Sequence, residues 1–342
     1  MKKWKYLFVY LLPVSVFAAF NLEGILTFIP VIIFYGLVPL VELLLAADHR
    51  NVAEVDDDLT GNYYDWLLYL AVPIQVGFLF YFFHLMSNYN YTTVEYIGMT
   101  SSMGLMCGVF GINIAHELGH RNKWYEKLMA ETLLLTSLEM HFLPYHNNGH
   151  HHNVGTRQDP ATARKSEPVY AFWFRSQIAS YFQAWNLEKK RLDKHGKHPF
   201  SIANKALLYT IIQVVFIAAI AYFYSYLVAG LFIWAAIGGI LLLETVNYIE
   251  HYGLVRNKNA SGNYERVLHQ HSWNSDHQIG RAMLFELSRH SDHHYKASKK
   301  YQTLISQPDN PQMPTGYPGM MIFALIPPLW IKIMNKRIDH LG

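Results

Sequence analysis

Cysteine is almost absent: Cys107 is the only one in 342 residues. A disulfide framework, a Cys-x-x-C pair and a thiolate metal site are therefore excluded. There is no Gly-x-Gly-x-x-Gly nucleotide fingerprint, no haem motif, no internal repeat and no low-complexity linker. Charge is scarce as well, with 15% Asp, Glu, Lys and Arg against 51% hydrophobic residues. The mean hydropathy of +0.06 conceals a segregation, because the apolar residues lie in long runs while charges and histidines gather between them.

Runs near 20 residues with few charges read as bilayer-crossing helices, since a helix rises about 1.5 Å per residue. Six such runs stand out, at 6–20, 24–47, 64–85, 94–115, 206–224 and 227–249. The first follows Met1-Lys2-Lys3-Trp4-Lys5 and has the outline of a signal peptide. A second apolar run follows at once and no small-residue cleavage site intervenes, so a retained signal-anchor helix is expected.

Lysine and arginine are missing from the loops near Asn21–Glu23, Met86–Thr93 and Ser225–Tyr226. With the amino terminus inside, all 28 of these basic residues fall on the inner side, in 1–5, 48–63, 116–205 and beyond 249. The positive-inside rule makes that side cytoplasmic. The expectation is an all-α integral membrane protein of about six transmembrane helices, with both termini and a histidine-rich region on the cytoplasmic side of the cell inner membrane. Residues 1–115 hold four spans, 116–205 a cytoplasmic region, 206–250 two further spans and 251–342 a second cytoplasmic region. A net charge of +3 does not indicate a nucleic-acid partner; topology and anionic headgroups of the lipid bilayer account for the basic residues.

Three shorter segments complete the outline. The apolar run 130–144 is too short to cross and belongs at the interface. The aromatic-rich stretch 170–185 suits either an amphipathic helix at headgroup level or a core helix of the inner region. Residues 320–330, broken by Pro327-Pro328, read as interfacial.

Nineteen histidines are far above ordinary usage, and four groups of them lie on the inner side. They are His116/His120, His146/His150/His151 with His152 beyond, His251, and His290/His293/His294. Side chains three or four apart on a helix share a face, so an i, i+4 or i, i+3 pair can grip one ion. Nine grouped imidazoles exceed the needs of one ion and supply four or five ligands to each of two. Imidazole binds several transition metals, so the ligands alone do not name the ion. His49, His84, His141, His195, His198 and His340 stand apart and read as structural. His116-Glu117-Leu118-Gly119-His120 also has the form of a zinc-protease motif, but three ligands and a water complete such a site and leave two of the other groups unexplained. Metal-bound histidines pass their other N–H to carboxylates or carbonyls; Glu117, Asp159, Glu250 and Asp292 are the candidates for that role.

These clusters resemble the membrane-bound alkane 1-monooxygenase family, within the histidine-rich membrane di-iron desaturase and hydroxylase superfamily. The more specific resemblance is in Asn247-Tyr248-Ile249-Glu250-His251-Tyr252-Gly253-Leu254. Supporting stretches are Gln158-Asp159-Pro160-Ala161, His271-Ser272-Trp273-Asn274-Ser275, Arg289-His290-Ser291-Asp292-His293-His294 and Gly316-Tyr317-Pro318-Gly319-Met320. The likeness runs from about the second span to Trp330; Ser288, where the family commonly has Gln, and the extra His152 are departures. It implies nine iron ligands for two Fe ions: His116, His120, His146, His150, His151, His251, His290, His293 and His294, with His271 close by. It also implies hydroxylation of the terminal methyl of an n-alkane with O₂, and a rubredoxin served by its reductase as electron donor. The basic residues Arg175, Lys189, Lys190, Arg191, Lys299 and Lys300 could steer such a small acidic carrier. The first four spans would feed the alkane end-on from the bilayer. A fatty-acid or lipid desaturase or hydroxylase would share these ligands, and a metal transporter would need polar residues along its spans, which are mostly apolar.

The partition of basic residues has a direct test. Cysteine introduced near Tyr89 should react with a membrane-impermeant thiol reagent in intact cells, and cysteine near Lys194 only after permeabilisation. The reverse labelling pattern would invert the topology.

Overall fold

The computed structural model describes residues 3–52, 59, 61–307 and 309–341. Lys2, and residues 53–58 and 60 of the inner loop expected between the second and third spans, lie outside the described residues. Four helices come first, α1 (Lys3–Phe20), α2 (Gly24–Leu44), α3 (Asn62–Asn88) and α4 (Thr93–Gly119). They are followed by α5 (Trp124–Leu135), α6 (142–153) and α7 (Val169–Asp193). Helices α8 (Lys205–Phe223) and α9 (Tyr226–His251) precede the short α10 (Gln278–Met283) and α11 (His290–Tyr295). The last two, α12 (Tyr317–Ala324) and α13 (Pro327–Asp339), bend by 119° at their junction. Among the described residues there is no strand, only the isolated bridges Lys258–Tyr264 and Asn274–Gln312.

Helices α1 to α4, α8 and α9 are each long and apolar enough to cross a bilayer, so the chain is a multi-pass membrane protein. They correspond to the six apolar runs. Two of them, α3 and α4, extend to 27 residues and carry polar groups past the hydrocarbon. The outward faces stay apolar, as lipid requires: Val214, Tyr222, Phe223 and Trp234 are all exposed. At one end of the bundle, α4 begins with a capping box in which Thr92 accepts from Glu95 N and donates to Glu95. The other Glu95 oxygen accepts from Gly24 N at 2.9 Å, closing off the start of α2 as well.

Helices α4 and α9 approach each other through small residues. A Cβ added at Gly239 would lie 2.7 Å from Cys107 Cβ and 2.9 Å from Gly108 N. Without a hydrophobic drive between helices in lipid, such close backbone packing is a main source of association. The contact matters because these two helices deliver His116 and His251. Directly after His251, Gly253 has φ +70°, a conformation that glycine adopts without steric cost, and it turns the chain away from the span.

The same end of the bundle is tied to the carboxyl-terminal region. Lys5, at the start of α1, pairs with the buried Glu286, which also receives Arg281 at 2.7 Å and lies 3.5 Å from Arg289. Tyr6 donates to Glu286 at 2.9 Å and packs edge-on against Tyr64 and Tyr301. Three cations hold the Glu286 carboxyl down at about 2 against the upward push of burial.

The peripheral helices distinguish between the two readings of 170–185. Helix α7 buries Val169, Phe172, Ser176, Ser180, Ala184 and Leu192 and exposes Phe174, Ile178 and Phe182 at i, i+4, i+8. Bulky apolar groups facing outward are what an interfacial helix presents to lipid, and a core helix of a water-soluble region would do the opposite. The apolar run 130–144 is not one element: α5 ends at Leu135, and Leu138, with φ 54°, breaks the chain before α6.

The α4–α9 contact gives a clean comparison. Gly239→Ala should cost about 1–3 kcal/mol, the usual penalty for overpacking, and lower the thermal unfolding midpoint in detergent. Gly230→Ala, on the same helix with nothing within 4 Å of its added Cβ, should leave the midpoint unchanged or slightly higher.

Candidate metal centre

Four elements converge to bring the nine grouped histidines together. Helix α4 carries His116 near its end, and His120 follows immediately. Within α4, Cys107–Asn113 is π-helical, a local widening that often occurs at functional sites. Helix α6 carries His146, His150 and His151, α9 ends in His251, and α11 presents His290, His293 and His294.

They sort into two groups. His116, His120, His146, His151 and His293 form one; His150, His251, His290 and His294 form the other. Within each group the ligand atoms all lie within 4.8 Å of one another. The pairs His116/His120 and His290/His294 share a group, as helical i, i+4 spacing requires. His146 and His150 do not, because His146–His150 is π-helical: the wider turn pairs His146 with His151, five residues on, and swings His150 to the other group. His293 likewise leaves its neighbours for the five-histidine group.

Crowding of the nitrogens tests whether an ion fits. His120 Nε2 lies 3.3, 3.2 and 3.2 Å from the Nε2 atoms of His116, His146 and His151. An imidazole nitrogen has one proton or one lone pair, so it cannot satisfy three neighbours at once. With imidazole nitrogens about 2.1 Å from a transition ion, ligands at right angles stand about 3 Å apart, which matches these contacts. In the other group, His150 and His294 approach to 3.2 Å and His251 and His290 to 3.1 Å. Both groups fit a metal.

Burial prepares the ligands electrically. It pushes His120 down to about 4 and holds His146, His151, His290, His293 and His294 well below the ordinary imidazole range, with mutual repulsion adding to the shift. At neutral pH these rings are uncharged, the form that binds metal. His150 is oriented by Asp159, whose Oδ2 lies 2.9 Å from His150 Nδ1, leaving Nε2 for an ion. Burial would raise Asp159, but the facing His150 and hydrogen bonds from His150, Thr162 and Tyr145 outweigh it and hold the carboxyl low. Glu250 Oε2 is 3.1 Å from His290 Nε2, on the ligand side of that ring, and Tyr317 donates to Glu250 Oε1 at 2.9 Å.

An apolar cavity runs up to this centre. Leu12, Phe34, Leu105 and Leu243 line it along α1, α2, α4 and α9, and it ends on His116 and His146 of one group and His290 of the other. The third span takes no part in that lining; the sixth does, because it packs so closely on α4. This differs from the expected route among the first four spans.

Comparison with known proteins agrees with this geometry. The fatty acid desaturase family model matches residues 94–306. The chain is 38% identical to alkane 1-monooxygenase 1 of Alcanivorax borkumensis, over 90% of this chain and 76% of that protein. It is 36% identical to alkane 1-monooxygenase of Pseudomonas putida, over 90% and 76%. The xylene/toluene monooxygenase hydroxylase component XylM of Pseudomonas putida is 26% identical over 84% and 75%. The chain belongs to the alkane 1-monooxygenase family.

The remaining site candidates of this alkane monooxygenase relative sit further out. Glu117 accepts from Arg121 at 2.6 Å and from Tyr301 N at 3.3 Å. Asp292 takes Lys299, His269 and Ile305 N. His271 accepts from Leu268 N at 3.0 Å, and its neighbour Ser272 lies 3.4 Å from His251 Nδ1. All three brace segments that carry ligands. Tyr145 and Tyr317, which hold Asp159 and Glu250, were not legible as site residues. Tyr317 lies 66 residues from His251 in sequence, and only the spatial return of α12 reveals it.

The two groups predict separable losses of metal. His151→Ala and His150→Ala should each lower the metal content of the purified protein, by weakening different ions. His195→Ala, on an exposed turn, should retain the wild-type content by elemental analysis. Equal metal in all four proteins would contradict the assignment of ligands.

Proposed function

We propose that this chain hydroxylates the terminal methyl group of an n-alkane at a pair of iron ions on the cytoplasmic side of the inner membrane. The balanced reaction takes alkane, O₂, two electrons and two protons to primary alcohol and water. His116, His120, His146, His151 and His293 would hold one iron, and His150, His251, His290 and His294 the other, with Glu250 beside the second set. Bound iron supplies the O₂ activation and C–H oxidation that no side chain performs.

The observation that carries this reading is the apolar cavity that ends on histidines of both groups. The bundle side chains exclude water and hold a linear chain with one end toward the ligands, so positioning rather than acid–base chemistry is the chief contribution of the protein. No Lys or Arg is among the residues lining that cavity. A fatty-acid carboxylate would find no counter-charge there, which favours a hydrocarbon over the alternative desaturase or lipid hydroxylase reading. Asp159 fixes the tautomer of His150, and Tyr317 fixes Glu250.

Electrons must come from a separate protein, since the chain has a single cysteine and no nucleotide fingerprint; rubredoxin with its reductase is the proposed source. Of the basic residues considered for docking, Arg175, Arg191, Lys299 and Lys300 are held in ion pairs with Glu167, Glu188, Asp292 and Asp65. Lys189 and Lys190 are exposed on α7. A cleft rimmed by the exposed Arg157 and Arg164 reaches Asp159 and brings the surface to the Asp159–His150 pair. An acidic carrier steered to this side should react more slowly as salt rises.

The test is reconstitution in nanodiscs with ferrous iron, octane and NADH, adding or omitting rubredoxin and its reductase. 1-Octanol should form only with both carriers present. Full-rate product without a carrier, restoration by zinc alone, or turnover of acyl substrates but never octane would each overturn the corresponding part of the reading.

A further inference from the structure

Two carboxylic acids lie buried beside the metal centre without serving it as ligands. Glu139 and Glu244 are each 2% exposed. Glu244 stands on the stripe of α9 that also carries Asn247 and His251, at successive spacings of three and four. Asn247 lines the apolar cavity, as do His116 and Glu250. Ser176 and Asn247 flank the Glu244 carboxyl, and one of its oxygens, Oε2, is buried without a hydrogen-bond partner. On the far side of α7, Gln177 Nε2 donates to Glu139 Oε2 at 2.8 Å, and His141 Nε2 lies 3.3 Å from Glu139 Oε1. Gln177 is half-buried and marks the end of the cluster nearest the surface. The backbone just before Glu139 is strained, with Leu138 at φ 54°, a conformation that costs a non-glycine residue about 1–3 kcal/mol and tends to mark functional segments.

These features are expensive if the acids are only structural. Among the described residues no lysine or arginine forms a salt bridge with either of them, and a carboxylate buried without a paired cation is driven to its neutral form. In a membrane protein, buried ionisable groups are rare and mark functional sites, proton relays among them. The hydroxylation proposed above consumes two protons per turnover, while its electron carrier brings electrons alone. The protons must therefore cross an apolar shell to reach the oxygen atom that leaves as water.

We propose that Glu139 and Glu244 form a proton relay to the metal centre, with Asn247 as its inner end. This rests on the hydroxylase reading. Glu244 gives up its carboxyl proton toward the cavity past Asn247 and is reprotonated from Glu139, which recovers a proton from the Gln177 side. Per alkane, two protons pass and two electrons arrive separately; one oxygen atom enters the C–H bond and the other departs as water. Burial raises Glu139 to about 8, only partly offset by Gln177, with Glu244 adding to the rise. Burial also lowers His141 to about 4, so at pH 7 it supplies no positive charge to ionise Glu139. Arg175 and Asp159 are the other charged groups near Glu244.

The experiment has two arms. On the metal-free protein, infrared difference spectra in H₂O and D₂O should show a protonated-carboxyl C=O band at pH 7. Part of that band should disappear in Glu139→Gln and part in Glu244→Gln, and the Glu139 part should be lost as pH rises through about 8. On the iron-loaded protein, Glu244→Gln keeps the shape and hydrogen bonding of the side chain. It should lower 1-octanol formation about 10²-fold or more, as loss of a proton-transfer group does, with unchanged iron content and octane KM. Glu244→Asp should recover part of the rate. Wild-type rate and pH profile in Glu244→Gln, or no protonated band in the metal-free protein, would overturn the relay; Glu139→Gln provides the same comparison should Glu244→Gln not fold. A wild type that never oxidises octane defeats the hydroxylase reading instead, and the infrared arm still decides whether the acids hold protons.

Discussion

Nine imidazoles with their ring nitrogens pressed together are a repulsive arrangement unless a cation sits among them. That single constraint organises the rest of the molecule. His120 meets three other ring nitrogens at 3.2–3.3 Å, more than any pattern of protons can satisfy. The rings must therefore be held in place by elements that do not yield: two spans packed backbone to backbone at Gly239, a π-helical turn, and a short helix anchored from the carboxyl-terminal region. The scaffold is stiff where the ligands are, and the stiffness comes from close packing and buried ion pairs rather than from any disulfide.

Polar burial follows the same division. At one end of the bundle, water is replaced by a dense set of compensating partners: Glu286 with Lys5, Arg281 and Arg289, Asp159 with Tyr145, Thr162 and His150, and Asp65 with Arg121 and Lys300. Each would cost several kcal/mol if one partner were removed. The cavity between the spans carries almost none of this. Its walls are mainly Leu, Phe, Val, Ile and Met, and its polar groups are few, Asn113, Asn247, Glu250 and two tyrosines besides the histidines. Such walls suit an apolar chain, with the grouped histidines at one end.

Much of this was legible in the sequence because lipid makes its demands on composition directly. Six apolar runs and a one-sided distribution of Lys and Arg suffice to outline the bundle, and the histidine groups stand out by number and spacing. The sorting of those histidines was not legible. Reading His146 and His150 as a pair assumes α-helical spacing, and the backbone there is π-helical, a state that no residue preference in His146-Asn147-Asn148-Gly149-His150 announces. The wall contributed by α9 was hidden for a related reason, since sequence order suggests neighbours among the first four spans while small residues bring the sixth into contact with the fourth. Tyr317 and Glu286 act across more than sixty and more than two hundred and eighty residues respectively, and contacts of that range leave no local mark.

The link between Lys5 and Glu286 has a consequence for how the protein is made. The ribosome delivers α1 to the membrane long before the residues that neutralise its buried lysine exist. Until then Lys5 must stay at the water boundary, and the first span is held only by its lipid contacts. His116, His120, His146, His150, His151 and His251 are likewise synthesised ahead of His290, His293 and His294, so a nascent chain carries incomplete ligand sets on both sides. Docking of the carboxyl-terminal region therefore both pairs the lysine and completes the two groups of imidazoles. Anchoring of the first span and completion of the histidine groups are in this way linked, because a chain arrested before Glu286 lacks both the carboxylate that pairs with Lys5 and the three histidines of α11.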